Sequence, residues 1–248
     1  MDFREDRPEI DALLEEADEA FDKGEFDMAV RRYSDVLRID FEHVGALMNR
    51  GAAYHSLGQY EKALEDDLRA LEYDTEDEKL FFNTGLVLNA LERNDESLEY
   101  YDQALRLRFD YGLAYYARAN TLAYLDRHEE AVEDYAKADR FGVEYDDIYR
   151  FWGLSCEKCG RYQDAANLYE RAMDEVHDES VLCRIGYCFW MMGDYRAAEG
   201  FLHRAIGIDF GEGDACITLL ALYSEQKRFS ERDAVLRMLS GSEDGMSP

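Results

Sequence analysis

The stretch NRGAAYHSLGQYEKALEDDLRALEYD, residues 49–74, decides the architecture, because its pieces return along the chain. GEFDMA begins at Gly24, GQYEKA at Gly58, GRYQDA at Gly160 and GDYRAA at Gly193, while ERNDES from Glu92 and DRHEEA from Asp126 keep the spacing without the glycine. Small residues recur 34 apart at Ala29, Ala63, Ser97, Ala131 and Ala165, then at Ala198 after a step of 33. A second column runs Gly51, Gly85, Ala119, Gly153 and Gly186, and a third Ala70, Ala104, Ala138, Ala172 and Ala205. Three columns in register mark a chain built from stacked units, the fifth one residue short near Val176–Glu179.

Each unit holds two helical patterns. Phe26, Ala29, Val30, Tyr33, Val36 and Leu37 follow steps of three and four, one apolar stripe on a helix. Gly24 precedes that stripe, where glycine can take the left-handed backbone that ends the helix before it. The only prolines are Pro8 and Pro248, so the strongest helix breaker is missing from everything between. The small columns let neighbouring helices approach, and Tyr54, Leu88 and Leu122 fill the gaps. The reading is all-α: seven helix-turn-helix repeats over residues 10–43, 44–77, 78–111, 112–145, 146–178, 179–212 and 213–240, with a lead-in (1–9) and a flexible tail (241–248).

Sixteen residues after a first-helix position comes a second-helix position expected to face it. This pairs Glu16 with Arg32, Arg50 with Asp66 and Arg118 with Asp134, and elsewhere Thr84 with Tyr100, Trp152 with Leu168, Ile185 with Phe201 and Leu219 with Val235. The ion pairs are expected to be half-exposed, contributing about 0–1 kcal/mol each.

Composition narrows the partners. With 56 acidic and 28 basic residues the net charge is -28, a field that repels nucleic-acid phosphates and anionic membranes. The excess acids are expected to solvate outer helix faces, and together with the bias of 22 arginines against 6 lysines they also fit a salt-rich cytoplasm. The opening MDFREDRPEI has no apolar stretch, no run approaches a membrane helix, and five cysteines form no disulfide framework, so the expected place is a reducing cytoplasm.

Cys156 and Cys159 form a C-x-x-C, but zinc needs two further ligands. Cys183 and Cys188 are five apart, His177 and His203 join no paired motif, and both Cys156 and Cys159 fall at core positions of the repeat. They are expected to be buried and inert, with no metal and no cofactor. No H-E-x-x-H, phosphate loop or paired-carboxylate motif stands out, and the chain is read as no enzyme.

The 34-residue pattern, with glycine and tyrosine in the first helix and alanine and an aromatic in the second, resembles the tetratricopeptide repeat. Residues 49–74 match closely, as does IGYCFWMMGDYRAAEGFLHRAIGID from Ile185. The usual proline after the second helix is replaced by Phe41, Thr75, Phe109 and Phe210, and the seventh unit carries Lys227 and Arg232 where glycine and alanine are usual. The resemblance implies a right-handed α-solenoid whose first helices line a concave, peptide-binding groove. Carried over by position, the groove holds Met48, Phe82, Tyr116, Arg150 and Cys183. One turn on come Ala52, Leu86, Asn120, Leu154 and Tyr187, flanked by Asn49, Asn83, Ala117, Phe151 and Arg184, then His55, Asn89, Tyr124 and Trp190. Asparagines suit an extended backbone, aromatics suit anchors, and Arg150 and Arg184 suit a carboxylate. The lysine places used by family members that clamp chaperone tails hold Leu14, Met48, Phe82 and Tyr116, which argues against that role. The expected function is a non-catalytic adaptor or scaffold for a protein or peptide segment. The alternative is a homodimer formed through the C-terminal repeat, where Ser230–Leu239 either caps the stack or meets a partner.

Overall fold

A computed structural model describes residues 8–145, 147–173, 179–208 and 214–239. Phe210, Val176, His177, the expected repeat starts at Asp146 and Gly213 and the tail from Gly241 lie outside the described residues. Among those described there are helices and no strand. The chain forms two compact units, Met1–Asp126 with Arg140–Val143, and Arg127–Asp139 with Glu144–Pro248.

The first unit contains α1 (Pro8–Asp22), α2 (Phe26–Ile39), α3 (Val44–Ser56), α4 (Tyr60–Leu71), α5 (Glu78–Ala90), α6 (Asn94–Leu107) and α7 (Gly112–Tyr124). Each odd helix packs on the even helix after it, α1 on α2, α3 on α4 and α5 on α6, and each pair stacks on the next. The second unit contains α8 (His128–Arg140) through Asp139, α9 (Ile148–Lys158), α10 (Tyr162–Met173), α11 (Glu179–Met191), α12 (Tyr195–Ile208), α13 (Asp214–Glu225) and α14 (Phe229–Leu239). There α9 packs on α10, α11 on α12 and α13 on α14.

The spacing of sixteen is where the pairs are fastened. A Cβ placed on Gly85 meets Tyr101 Cε1 at 2.5 Å, on Gly153 Tyr169 Cε1 at 2.7 Å, and on Gly186 Leu202 Cγ at 2.7 Å. Only a hydrogen side chain lets these helices come so close. The large residues sixteen positions after the small column, Tyr33, Tyr101, Tyr135, Tyr169 and Leu202, are all buried, as are Leu88 and Leu122. Tyr54 stays half-buried, packed against Ala63, Leu64, Val87 and Leu88.

Several expected pairs are present. Arg32 meets Glu16 at 3.0 Å, and Arg50 clasps Asp66 with Nε–Oδ2 at 2.7 Å and Nη2–Oδ1 at 2.6 Å. Trp152, Leu168, Ile185 and Phe201 share one apolar cluster, Leu219 and Val235 another. The Arg50–Asp66 pair corrects the expectation of half-exposed ion pairs, since its side chains are only 17% and 6% exposed. Removing one partner of so buried a pair strands the other charge, a loss of about 3–5 kcal/mol rather than a fraction of one. Arg118 forms an ion pair with Asp102 on α6, and Asp134 meets Lys137 at 3.3 Å.

Helix ends explain the recurring opening. Gly24, Gly58, Gly160 and Gly193 take φ of 75°, 70°, 72° and 80°, reversing the chain between paired helices. Where the glycine is lost the backbone keeps its course: Glu92, Asp126 and Lys227 have φ of 59°, 61° and 58°. Glu92 N–H donates to Asn89 O and Arg93 N–H to Leu88 O, both at 2.9 Å, matching the bonds that Gly24 and Glu25 make to Phe21 and Ala20. An L side chain in this region is strained by about 1–2 kcal/mol. Substituting Glu92→Gly is therefore expected to raise the stability of the chain by about 0.5–1 kcal/mol, read as a higher denaturant midpoint with an unchanged slope.

Candidate functional site

In the first unit α5 touches both α3 and α7, so three odd helices form one row. These helices carry little acid. Within α3, α5 and α7 the only carboxylate is Glu78, at the first position of α5, whereas α4 holds Glu61, Glu65, Asp66 and Asp67 and α6 holds Asp95, Glu96, Glu99 and Asp102. The acid excess of the chain is thus segregated away from this row, α1 excepted, with its seven carboxylates between Glu9 and Asp22.

The expected groove positions Met48, Asn49, His55, Phe82, Asn83, Leu86, Asn89, Tyr116 and Asn120 are half-buried, and Tyr124 is 73% exposed. Several are more engaged with the scaffold than their spacing implied. Met48 packs against the core around Leu47 and Leu80, and the Phe82 ring lies 5.1 Å from Tyr111 and 6.1 Å from Tyr101. Asn49 Nδ2 donates to Asp18 at 3.3 Å and Asn89 Nδ2 to Thr121 Oγ1 at 2.6 Å, so each spends a donor on a neighbouring helix. Asn83 is without a hydrogen-bond partner among the described residues. His55 stacks at a tilt on Tyr60, and burial lowers the pKa of its imidazole, which favours the neutral form.

In the second unit Arg150 and Phe151 are exposed on α9, with Leu154 half-buried one turn on. On α11, Arg184 is exposed while Tyr187 and Trp190 are half-buried. Tyr187 lies edge-on to Tyr162 at 6.3 Å and to Trp190 at 6.0 Å. Trp190 Nε1 donates to Glu225 Oε2 at 2.5 Å, joined there by the Tyr195 hydroxyl at 3.2 Å. Both expected carboxylate-binding arginines have acids of their own: Arg150 meets Asp147 at 3.3 Å and Arg184 meets Glu157 at 3.2 Å. Glu157 also accepts from the Tyr169 hydroxyl at 3.0 Å, a three-residue network that the spacing rules did not single out. Cys183, placed in the groove by position, is instead buried in the core beside Leu182 and Cys216, because α13 covers that side of α11.

Cys156, Cys188 and Cys216 are buried and Cys159 is partly so. Burial pushes the Cys156 thiol up to about 11 and Cys188 to about 12, which holds both protonated and poorly nucleophilic at neutral pH. Among the described residues no group of three or more His, Cys, Asp or Glu is placed to hold a metal ion. None of the described helices is long and apolar enough to cross a membrane.

Family models described as tetratricopeptide repeat match residues 14–78, 78–111 with 113–140, and 152–181. A comparison with curated proteins finds no match. Among solved structures, MamA is similar at a TM-score of 0.59 and 25% identity, over 64% of this chain and 92% of its own. YrrB, described as a TPR protein with an unusual peptide-binding site, is similar at a TM-score of 0.61 and 25% identity, over 71% of this chain and 90% of its own. The C-terminal part of a TPR repeat-containing protein from Cytophaga hutchinsonii reaches a TM-score of 0.74 over 93% of this chain and 95% of its own, a likeness of fold at 12% identity. Helix pairs fastened at a spacing of sixteen, a 34-residue period and family models matching successive stretches agree: the chain belongs to the tetratricopeptide repeat family.

Proposed function

We propose that the protein is a non-catalytic adaptor or scaffold that takes a partner segment on the open faces of its odd helices. The observation that carries this is the segregation of charge. In a chain of net charge -28, the row α3, α5 and α7 keeps one carboxylate and presents Asn83, Asn120, Tyr116 and Tyr124 instead. A face cleared of like charge and furnished with aromatic and amide groups suits a protein segment, where flat rings supply anchors and amides supply backbone hydrogen bonds. The peptide-binding site named for YrrB supports the same reading. In the second unit Phe151, Leu154, Tyr187 and Trp190 offer apolar area of the same kind, and Arg150 and Arg184 an acid-exchange point.

A pull-down from the source lysate tests this, comparing the wild type with a folded Tyr116→Ala, Tyr124→Ala variant and with a folded Phe151→Ala, Arg184→Ala variant. A partner held by the wild type and weakened about 30-fold or more by one of them supports the groove. A partner held equally by all three contradicts it.

Self-association is the second reading, favoured by α14. Val235 is its buried residue, while Phe229, Leu236, Met238 and Leu239 are 52%, 45%, 51% and 41% exposed. A second copy covering this face yields a dimer by light scattering that a Leu236→Glu, Met238→Glu variant loses. A wild type that stays monomeric at high concentration rules it out.

A further inference from the structure

In the second helices, the residue sixteen after the small first-helix position is Tyr33 in the first repeat, then Tyr101, Tyr135 and Tyr169, each 1% exposed or less. The second repeat places Asp67 there, and it is buried just as deeply, at 1%. Tyr101 and Tyr169 set ring carbon against an opposing glycine, Gly85 and Gly153, and Tyr33 and Tyr169 carry their oxygen to a partner, Asp18 at 2.5 Å and Glu157 at 3.0 Å. Asp67 is too short for that. Its Oδ1 lies 2.5 Å from where a Cβ on Gly51 would stand, at the depth Tyr101 fills with Cε1 against Gly85. Neither carboxyl oxygen receives a hydrogen bond among the described residues.

No nearby cation makes up for this. Arg50 on α3 is committed to Asp66 through two bonds and to Ser34 through a third at 2.9 Å. The other ionisable residues of α3 are Tyr54 and His55, and α5, packed on α4, has Glu78 and Lys79 in its first turn. On α4 itself, Arg69 donates to Phe41 O at 2.8 Å and Lys62 to Gln59 at 2.7 Å, leaving Tyr60 and the acids Glu61, Glu65 and Asp66. An ionised carboxylate without donors in a packed interior is costly, so such a group keeps its proton.

We propose that Asp67 makes the α3–α4 pair a proton-dependent joint: the pair closes on the neutral carboxylic acid, and loss of that proton opens the pair locally. Burial, with the Asp66 charge second, pushes the Asp67 carboxyl up to about 8. The ordinary value in an opened chain is about 3.9. The closed state therefore binds more protons than the open one throughout the interval between those values. Its stability is fully present below about pH 4, falls as pH rises, and levels off above about pH 8. Because α3 also carries Met48, Asn49 and His55, opening would unmake the first row of the groove; that consequence rests on the proposed function, the joint itself does not.

The test is amide hydrogen exchange on the full chain between pH 5.5 and 8.5, corrected for intrinsic exchange, in the wild type and in Asp67→Tyr, the residue the neighbouring repeats use. Up to about pH 8 the opening constant of α3–α4 is expected to rise about tenfold per pH unit more steeply in the wild type than in the variant, while α10–α12 show no such difference. Equal slopes in both proteins overturn the proposal. If Asp67→Tyr does not fold, the carbon-13 titration of the Asp67 carboxyl in the wild type decides. A midpoint above about 6 supports the joint, and one at or below it, toward the ordinary carboxylate range, overturns it. Neither readout requires a groove ligand, so its failure is separable from failure of the adaptor reading.

Discussion

Everything in this molecule depends on how closely the two helices of a repeat approach. Gly85 against Tyr101, Gly153 against Tyr169 and Gly186 against Leu202 leave no room for a methyl group, so the small residue sets the distance and the large one fills the interior. A helix normally loses about 1 kcal/mol by carrying glycine at an interior position. The contact returns that loss through the burial of a whole aromatic ring, which removes on the order of 150–250 Å² from water. The same left-handed turn, at Gly24, Gly58, Gly160 and Gly193, joins the two helices of a pair.

That geometry sorts the chemistry of the chain. The acids of the middle repeats stand on α4 and α6, with Tyr101 buried on α6, whereas α3, α5 and α7 stand in a row that is almost free of carboxylate. Charge kept off one face of so acidic a chain leaves that face the least repulsive place for another protein segment to settle. The same tight contact has an exception at Asp67, where a carboxyl occupies the ring position and turns a packing rule into a titratable one.

Much of the fold was legible because it is written as spacing. The glycine columns, the left-handed turns and the Glu16–Arg32 and Arg50–Asp66 pairs all follow from residues counted 34 or 16 apart. Spacing reports which residues share a column and not how deep the column lies. Met48 and Phe82 were therefore expected on an open face yet lean on the core, and Cys183 is buried because α13 covers it. Arg118 also pairs with Asp102, sixteen residues before it, a reach that counting forward did not single out. Asp67 stands in plain view as the exception in a tyrosine column, but its lack of donors belongs to three dimensions.

The most direct measurement is the stability of Gly85→Ala beside that of Gly200→Ala. Helix propensity alone favours alanine at both sites by about 1 kcal/mol. A Cβ on Gly200 meets nothing within 4 Å, whereas one on Gly85 falls 2.5 Å and 2.7 Å from two Tyr101 ring carbons. Close approach as the organising contact predicts that Gly200→Ala gains stability and Gly85→Ala loses about 1–3 kcal/mol. A Gly85→Ala variant at least as stable as the wild type would contradict it.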